Sequence, residues 1–412
     1  MAKSKVKKIL IGLSAVGPGL FLIGYNIGTG SVTTMAKAGA EHGMTLLWTL
    51  ALSCIFTYIL MVAYGKTTLV TGHTALYNIK KQFKFGIPLA IYILIALVIG
   101  ELLALMGVMG IVSDLLSEGS RLIWGGSGFS TFRITAVIAV ILYALLWNGQ
   151  YKFFEKILIF FVIMMGLSFI MVFFLVKPSL PELTEGLIPR IPDTPGSLRL
   201  IAAMAGTTCS AAVFIMRSTV VAEKGWTINN LKDEKKDAKV SAAMMFALSA
   251  IIMAVSAGTL HVMGLKLNDT VEMIQLFEPI GGKVAAFILI TGISAAGIST
   301  IFPIVLIAPW LICDYTGRER NIRSPMFRIL GFIGILFSFG MQFMNHRPPA
   351  MMIFSQAFQA AILPAVAIPV FILINNKNIM KEDAAGRKMN IGLIAVILFS
   401  LSTAYFAVAD LF

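Results

Sequence analysis

Charge is scarce in this chain. Only 13% of its 412 residues are Asp, Glu, Lys or Arg, against about 25% in soluble domains. Hydrophobic residues make up 58%, and the mean hydropathy is +0.88, so a water-soluble fold is excluded. Cysteine is scarcer still. Cys54, Cys209 and Cys313 stand alone, so no CxxC spacing offers a metal site or a redox pair. No HExxH helix, nucleophile–base pair or nucleotide-binding loop stands in the sequence. An enzyme and an ATP-driven pump are therefore not expected, nor is any cofactor.

What the chain has in abundance is apolar stretches. Eleven are read, near 9–39, 44–65, 86–113, 132–148, 155–176, 200–222, 240–263, 283–312, 326–344, 350–374 and 390–409. Each is long enough to cross a hydrocarbon core of about 30 Å, which needs roughly 20 helical residues. The net charge of +13 invites a nucleic-acid reading, but the positive-inside rule explains it better. Most cations fall in alternate connections: Lys3 to Lys8, Lys66 to Lys84, Lys152 and Lys156, Arg217 to Lys239, Arg318 to Arg328, and Lys377 to Lys388. This places the chain in a cell (inner) membrane, amino terminus cytoplasmic and carboxyl terminus outside. A bilayer and a small solute are the expected partners, nucleic acid is not, and a monomer is expected. The basic start followed by apolar residues also resembles a signal peptide, but no cleavage site follows, and it is read as the first span. The Lys/Asp/Glu-rich connection 223–239 is expected to be solvated, and Trp48, Trp147 and Trp310 to belong to interface belts.

Two spans are interrupted. The first breaks at Gly28-Thr29-Gly30-Ser31 and the sixth at Gly206-Thr207-Thr208-Cys209-Ser210. Lipid offers no partner for freed backbone groups, so such breaks are kept where they line a cavity. An offset of five spans inverts the second copy relative to the first, and broken spans at matched positions of two halves point to a transporter's midplane site. The expected division is a first repeat over 1–176, an outer loop over 177–199, a second repeat over 200–376 and an extra helix over 377–412.

Further residues carry a family resemblance. Gly17-Pro18-Gly19 and Ala38-Gly39 frame span 1, Ala295-Ala296-Gly297-Ile298-Ser299-Thr300 lies in span 8, and Ser355-Gln356 with Leu363-Pro364 lies in span 10. In these segments the chain resembles the Nramp family of metal-ion transporters. The resemblance implies an all-α polytopic membrane protein of the leucine-transporter type, with 11 transmembrane helices, a 5+5 inverted repeat and broken helices 1 and 6. The metal-binding motifs depart from the family's. The places of its Asp-Pro-Gly-Asn hold Gly28, Thr29, Gly30 and Ser31, and those of its Met-Pro-His hold Ser210, Ala211 and Ala212. The acids of its third span align with Leu94 and Leu97, and a His of its sixth with Arg217. The carboxylate, amide and thioether that ligate the family's metal are thus missing.

The site expected from these residues is neutral. Asn26, Gly28, Thr29, Ser31, Thr207, Thr208 and Ser210 come from the breaks, and Gln356 and Gln359 from span 10. Small residues in place of ligands are expected to widen the cavity, and hydroxyls and amides alone compensate a dehydrated dication poorly. The expected function is secondary-active, proton-coupled transport of a small neutral polar solute such as a sugar, by alternating access. The alternative is a divalent cation carrier, for Mg²⁺ or Mn²⁺, with an altered site. Glu101 stands inside span 3. A mid-membrane acid costs roughly 2.5–3.5 kcal/mol on insertion scales, so it is read as the proton-coupling residue, with binding of a solute hydroxyl and structural pairing with a cation as the competing roles. Arg217 is a candidate partner for it, or snorkels at the cytoplasmic mouth.

Overall fold

Apolar chain surrounded by lipid must satisfy its own N–H and C=O groups, and a helix does so within each segment. The computed structural model describes residues 28–148, 180–344 and 347–409, with scattered positions from 156 to 174, and among these it holds helices and turns but no strand. Nine of the described helical segments are long and apolar enough to cross a bilayer. The stretch expected at 155–176 and the first part of 9–39 fall largely outside the described residues, as does Asn26.

The principal helices are α1 (Thr29–His42), α2 (Leu47–Thr71), α3 (Ala75–Gln82), α4 (Gly86–Trp124) and α5 (Thr131–Asn148). They are followed by α6 (Ser197–Thr208), α7 (Ala211–Glu223), α8 (Leu231–Ser256) and α9 (Thr270–Val305). The last are α10 (Ile307–Thr316), α11 (Pro325–Phe337), α12 (Pro348–Asn375) and α13 (Arg387–Ala409).

Small residues set how closely these helices approach. A Cβ on Gly39 of α1 would lie 2.3 Å from the Met253 carbonyl of α8, and Ser256 Oγ donates to the Ala36 carbonyl at 2.6 Å. Apolar burial between helices drives little in lipid, so such close packing and interhelical hydrogen bonds take over. On α4, Gly100, Gly107 and Gly110 form a groove that seats α12 antiparallel. Their absent side chains are replaced by Gln359 and Phe358, by Met352, and by Pro348 in turn. That seam sets the position of Glu101.

At the end of the bundle that carries α3, three elements are tied together. Ala75 N donates to Ser218 Oγ of α7 at 2.8 Å. Leu76 N and Tyr77 N donate to Asp314 Oδ1 of α10 at 3.0 and 3.4 Å. Side chains of two other helices therefore satisfy the open N–H groups of α3. Asp314 lies beyond the apolar span Ala286–Val305. Burial pushes its carboxyl up to about 7, against the opposing pull of Thr74, the two N–H groups and Arg320.

Three expectations fail here. The connection 223–239 is not solvated throughout: α8 begins at Leu231, and Glu234 and Asp237 are buried in it. Arg217 does not snorkel at a mouth or reach Glu101; it is fully buried against those two acids. Trp310 is 4% exposed with the Arg320 guanidinium 4.9 Å from its ring centre, so it is a packed cation–π partner and no belt residue. Trp48 is half-buried and donates to the Arg190 carbonyl at 3.0 Å, and Trp147 is exposed.

Candidate functional site

The sixth span does break where its small polar residues stand. α6 ends at Thr208, Cys209 and Ser210 leave helical geometry (φ −101°, ψ 46° and φ −62°, ψ 125°), and α7 starts at Ala211. Across from it, α1 starts at Thr29 behind Gly28, whose backbone is extended at φ −90°, ψ −167°. The two helix ends are held together by Ser31 Oγ and Thr207 Oγ1, 2.9 Å apart. Thr57 Oγ1 of α2 donates to the Thr208 carbonyl at 3.0 Å, steadying the break from behind.

Between these ends lies a small cavity. It encloses about 30 Å³ and is lined by Gly28, Gly30 and Ser31 of the first break, Thr207 and Ser210 of the second, Glu101 and Ala104 of α4, Thr300 and Ile304 of α9, and Met352 and Gln356 of α12. Such a space takes an ion with one or two waters; sites for organic ligands commonly enclose roughly 300–1,000 Å³. The glycines do not widen it. A Cβ on Gly28 would lie 1.9 Å from Thr300 Oγ1, and one on Gly30 2.6 Å from Gln356 Nε2 and 2.7 Å from Met352 Cε. Side chains from α9 and α12 have moved into the room left by the absent ones.

Five of the nine sequence-read binding residues line the cavity: Gly28, Ser31, Thr207, Ser210 and Gln356. Thr29 packs instead toward Gly297, where an added Cβ would lie 2.8 Å from its Oγ1. Thr208 contributes its carbonyl to Thr57. Gln359 acts through a neighbour, with Nε2 donating to Glu101 Oε1 at 2.7 Å. Thr300 and Met352 were missed. Met352 lies four residues before Gln356 and so shares its helix face, a signal that was available; Thr300 had none beyond its place in the span 8 segment.

Electrostatically the cavity is acidic, contrary to the neutral reading. Glu101, 4% exposed, is the one ionisable side chain among the described lining residues. Thr207, in the last turn of α6, lines the cavity, so the negative end of that half-helix lies beside it, and such ends attract cations. Among the described residues no three or more His, Cys, Asp or Glu gather as a metal cluster, so any ion here is held by one carboxylate and neutral oxygens.

The broken sixth span, facing the start of α1 across an ion-sized cavity, fits a fold of the leucine-transporter type, and solved structures share that fold. A manganese transporter from Eremococcus coleocola superposes with a TM-score of 0.72 at 15% identity, covering 97% of this chain and 87% of that one. The nucleobase-cation-symport-1 family transporter MHP1 gives 0.64 at 13%, covering 96% and 92%. The profile described as Natural resistance-associated macrophage protein-like matches residues 19–410, and the chain belongs to that Nramp family. Relatives at low identity include the divalent metal cation transporters MntH of Nostoc sp. (23%; 95% of this chain, 90% of that one) and of Pectobacterium carotovorum (24%; 95% and 93%).

The expectation of a neutral polar solute is therefore overturned. Family membership and relatives named for divalent metal transport point away from it. The cavity is too small for a sugar and holds a carboxylate.

Proposed function

We propose that this multi-pass membrane protein carries a divalent metal cation, bound in the cavity between the two helix breaks. The observation that carries the reading is Glu101, an acidic residue lining an ion-sized space whose other polar lining is hydroxyls, an amide and backbone, with Ala104, Ile304 and Met352 completing the wall. It replaces, from α4, the anionic ligand absent at Gly28. Gln356, Ser31 and Ser210 supply further oxygens, and the α6 carbonyl end adds partial negative charge.

The donor set is hard. Carboxylate, carbonyl and water oxygens suit Mg²⁺ and Mn²⁺, and Mg²⁺ is commonly held through one or two carboxylates with waters retained. Met352 brings a thioether to the lining, but its Sδ lies over Gly107 and only its methyl over Gly30. Softness therefore contributes little to selection.

Glu101 exchanges a proton for the ion, since one carboxylate binds one or the other. With the amino terminus cytoplasmic, as the basic connections indicate, an inward membrane potential of 100 mV supplies about 2.3 kcal/mol per positive charge. Uptake into proteoliposomes tests the reading: saturable entry of Mn²⁺ or Mg²⁺ is expected, and its loss in Glu101→Gln. Dication entry that is unaffected by that substitution would refute it.

A further inference from the structure

A second cavity lies apart from the metal site and shares none of its described lining residues. It is a crevice of about 820 Å³ between the last turns of α4, the start of α5 and the middle of α9, well within the roughly 300–1,000 Å³ of organic-ligand sites. Along α9 its wall runs from Phe287 to Ile298. Eleven residues of helix rise about 16 Å, close to one leaflet of a hydrocarbon core of about 30 Å. The wall is almost wholly apolar. The hydroxyls of Ser120 and Thr291 are bonded to backbone. Ser294 also lines the crevice, and its buried Oγ has no hydrogen-bond partner.

The mouth is held in a fixed shape. Ser120 Oγ accepts from Phe129 N at 2.8 Å, and Ser117 Oγ donates to the Phe129 carbonyl at 2.7 Å. Both backbone groups of Phe129 are thus pinned to α4. Its ring lies 5.5 Å from that of Trp124, and both rings are exposed on the rim. Amphipathic and aromatic rings of this kind gather at the level of lipid headgroups. On the far flank, Thr131 donates to Gln342 Oε1 at 3.0 Å, and Gln342 Nε2 donates to Thr135 Oγ1 at 3.3 Å, fixing the first turn of α5.

The rim also carries a cation. Arg133 lines the crevice from the first turn of α5 and is exposed. No carboxylate among the described residues pairs with it. The nearby acid Glu118 is taken by Arg121, whose Nε donates to Glu118 Oε2 at 2.8 Å, so it neither neutralises Arg133 nor repels an anion. Moving a lipid tail from bulk bilayer onto an apolar wall gains little, because lipid is as apolar as the wall. Discrimination between lipids therefore falls to the headgroup, and a guanidinium on the rim favours phosphate of net negative charge.

We infer that this crevice binds an anionic phospholipid, with an acyl chain between α4, α5 and α9 and the phosphate on Arg133. The aromatic pair at Trp124 and Phe129 brackets the glycerol region. An ester carbonyl offers Ser294 the acceptor that the protein does not supply. The site is separate from the metal cavity, and the inference stands or falls without it.

The test is a lipid titration of the purified full-length protein, read by native mass spectrometry as the number of lipids retained. Dioleoylphosphatidylglycerol is compared with dioleoylphosphatidylcholine, which has the same chains and no net charge. One phosphatidylglycerol should be retained with an affinity about tenfold or more above that of phosphatidylcholine, as hydrogen bonds to a charged partner imply. Arg133→Gln should abolish that preference, and Arg133→Lys should keep part of it. Arg133 is exposed, so both variants should melt as the parent does without added lipid. Gly119→Leu fills the crevice from α4. Its Cβ would stand 3.5 Å from Ile290 Cγ2, an ordinary contact, so the helices need not part. It should lose the retained phosphatidylglycerol. Equal retention of the two lipids by the parent would overturn the inference. So would an undiminished preference in Arg133→Gln, or undiminished retention in a folded Gly119→Leu, which would put the lipid elsewhere. Retention of oleate in place of phosphatidylglycerol, with the same dependence on Arg133, would also overturn it, since the occupant would then be a free fatty acid.

Discussion

Gln359 Nε2 donates to Glu101 Oε1 at 2.7 Å, joining the helix that lost its usual acids to the helix that fills the glycine gaps. The hydrogen bond fixes one carboxylate oxygen on the α12 side of the cavity. Gln359→Leu removes a buried partner of a charged acceptor, a loss of about 1–3 kcal/mol. It should weaken Mn²⁺ binding and lower the melting temperature while leaving Glu101 ionisable. Unchanged affinity in a titration of that variant would show that the orientation of Glu101 does not matter.

Gly28 and Thr300 are mutually dependent. A methyl on Gly28 meets Thr300 Oγ1 at 1.9 Å, so Gly28→Ala should destabilise the protein by about 1–3 kcal/mol through overpacking. Gly28→Ala with Thr300→Gly should recover much of this, with a coupling of about 0.5–3 kcal/mol. Additive melting shifts in the two single variants and the double would show that Thr300 does not fill the gap.

Met352 tests the hard-ligand assignment. With its sulfur over Gly107 and its methyl over Gly30, Met352→Leu is a near volume-conserving change, worth less than about 1.5 kcal/mol in packing. Mn²⁺ and Mg²⁺ affinities should fall together and slightly. A selective loss of Mn²⁺ with Mg²⁺ retained would place the thioether on the ion.

Asp314 gives a pH signature. Its carboxyl is raised from its usual 3.8 to about 7 by burial, so the folded protein binds that proton more tightly than the unfolded chain. Its contribution to stability is therefore greatest below about pH 4 and is lost as pH rises toward 7. Asp314→Asn keeps an acceptor for Leu76 N and Tyr77 N and cannot ionise. Relative to the parent it should gain stability between pH 5 and 8, by ~4 kcal/mol at most. A melting-temperature difference that is flat across that range would contradict the assignment.

Hydropathy was enough to read an all-helical membrane protein, because lipid leaves a spanning segment few alternatives, and the family resemblance supplied the leucine-transporter type of fold. The site was only half legible. Ser31, Thr207 and Ser210 could be read as lining residues because polar residues at a break declare themselves, and Gln356 because it is a polar residue inside span 10. The volume was misjudged because a glycine leaves room only where no distant side chain enters, and Thr300 and Met352 come from spans far away in sequence. The charge was misjudged because Glu101 was read apart from the breaks. The acids of 223–239 looked solvated, yet Glu234, Asp237, Ala238, Ser241 and Met245 are all buried, at the spacing of one helix face. Periodicity could have revealed that face; composition hid it.

The central claim is that a single carboxylate, Glu101, makes this altered cavity a dication site. Calorimetric titration of the purified protein and of Glu101→Gln with Mn²⁺ tests it most directly. The account predicts saturable binding of one ion by the parent and none detectable in the variant, with both proteins equally folded. Equal binding by the two would contradict it.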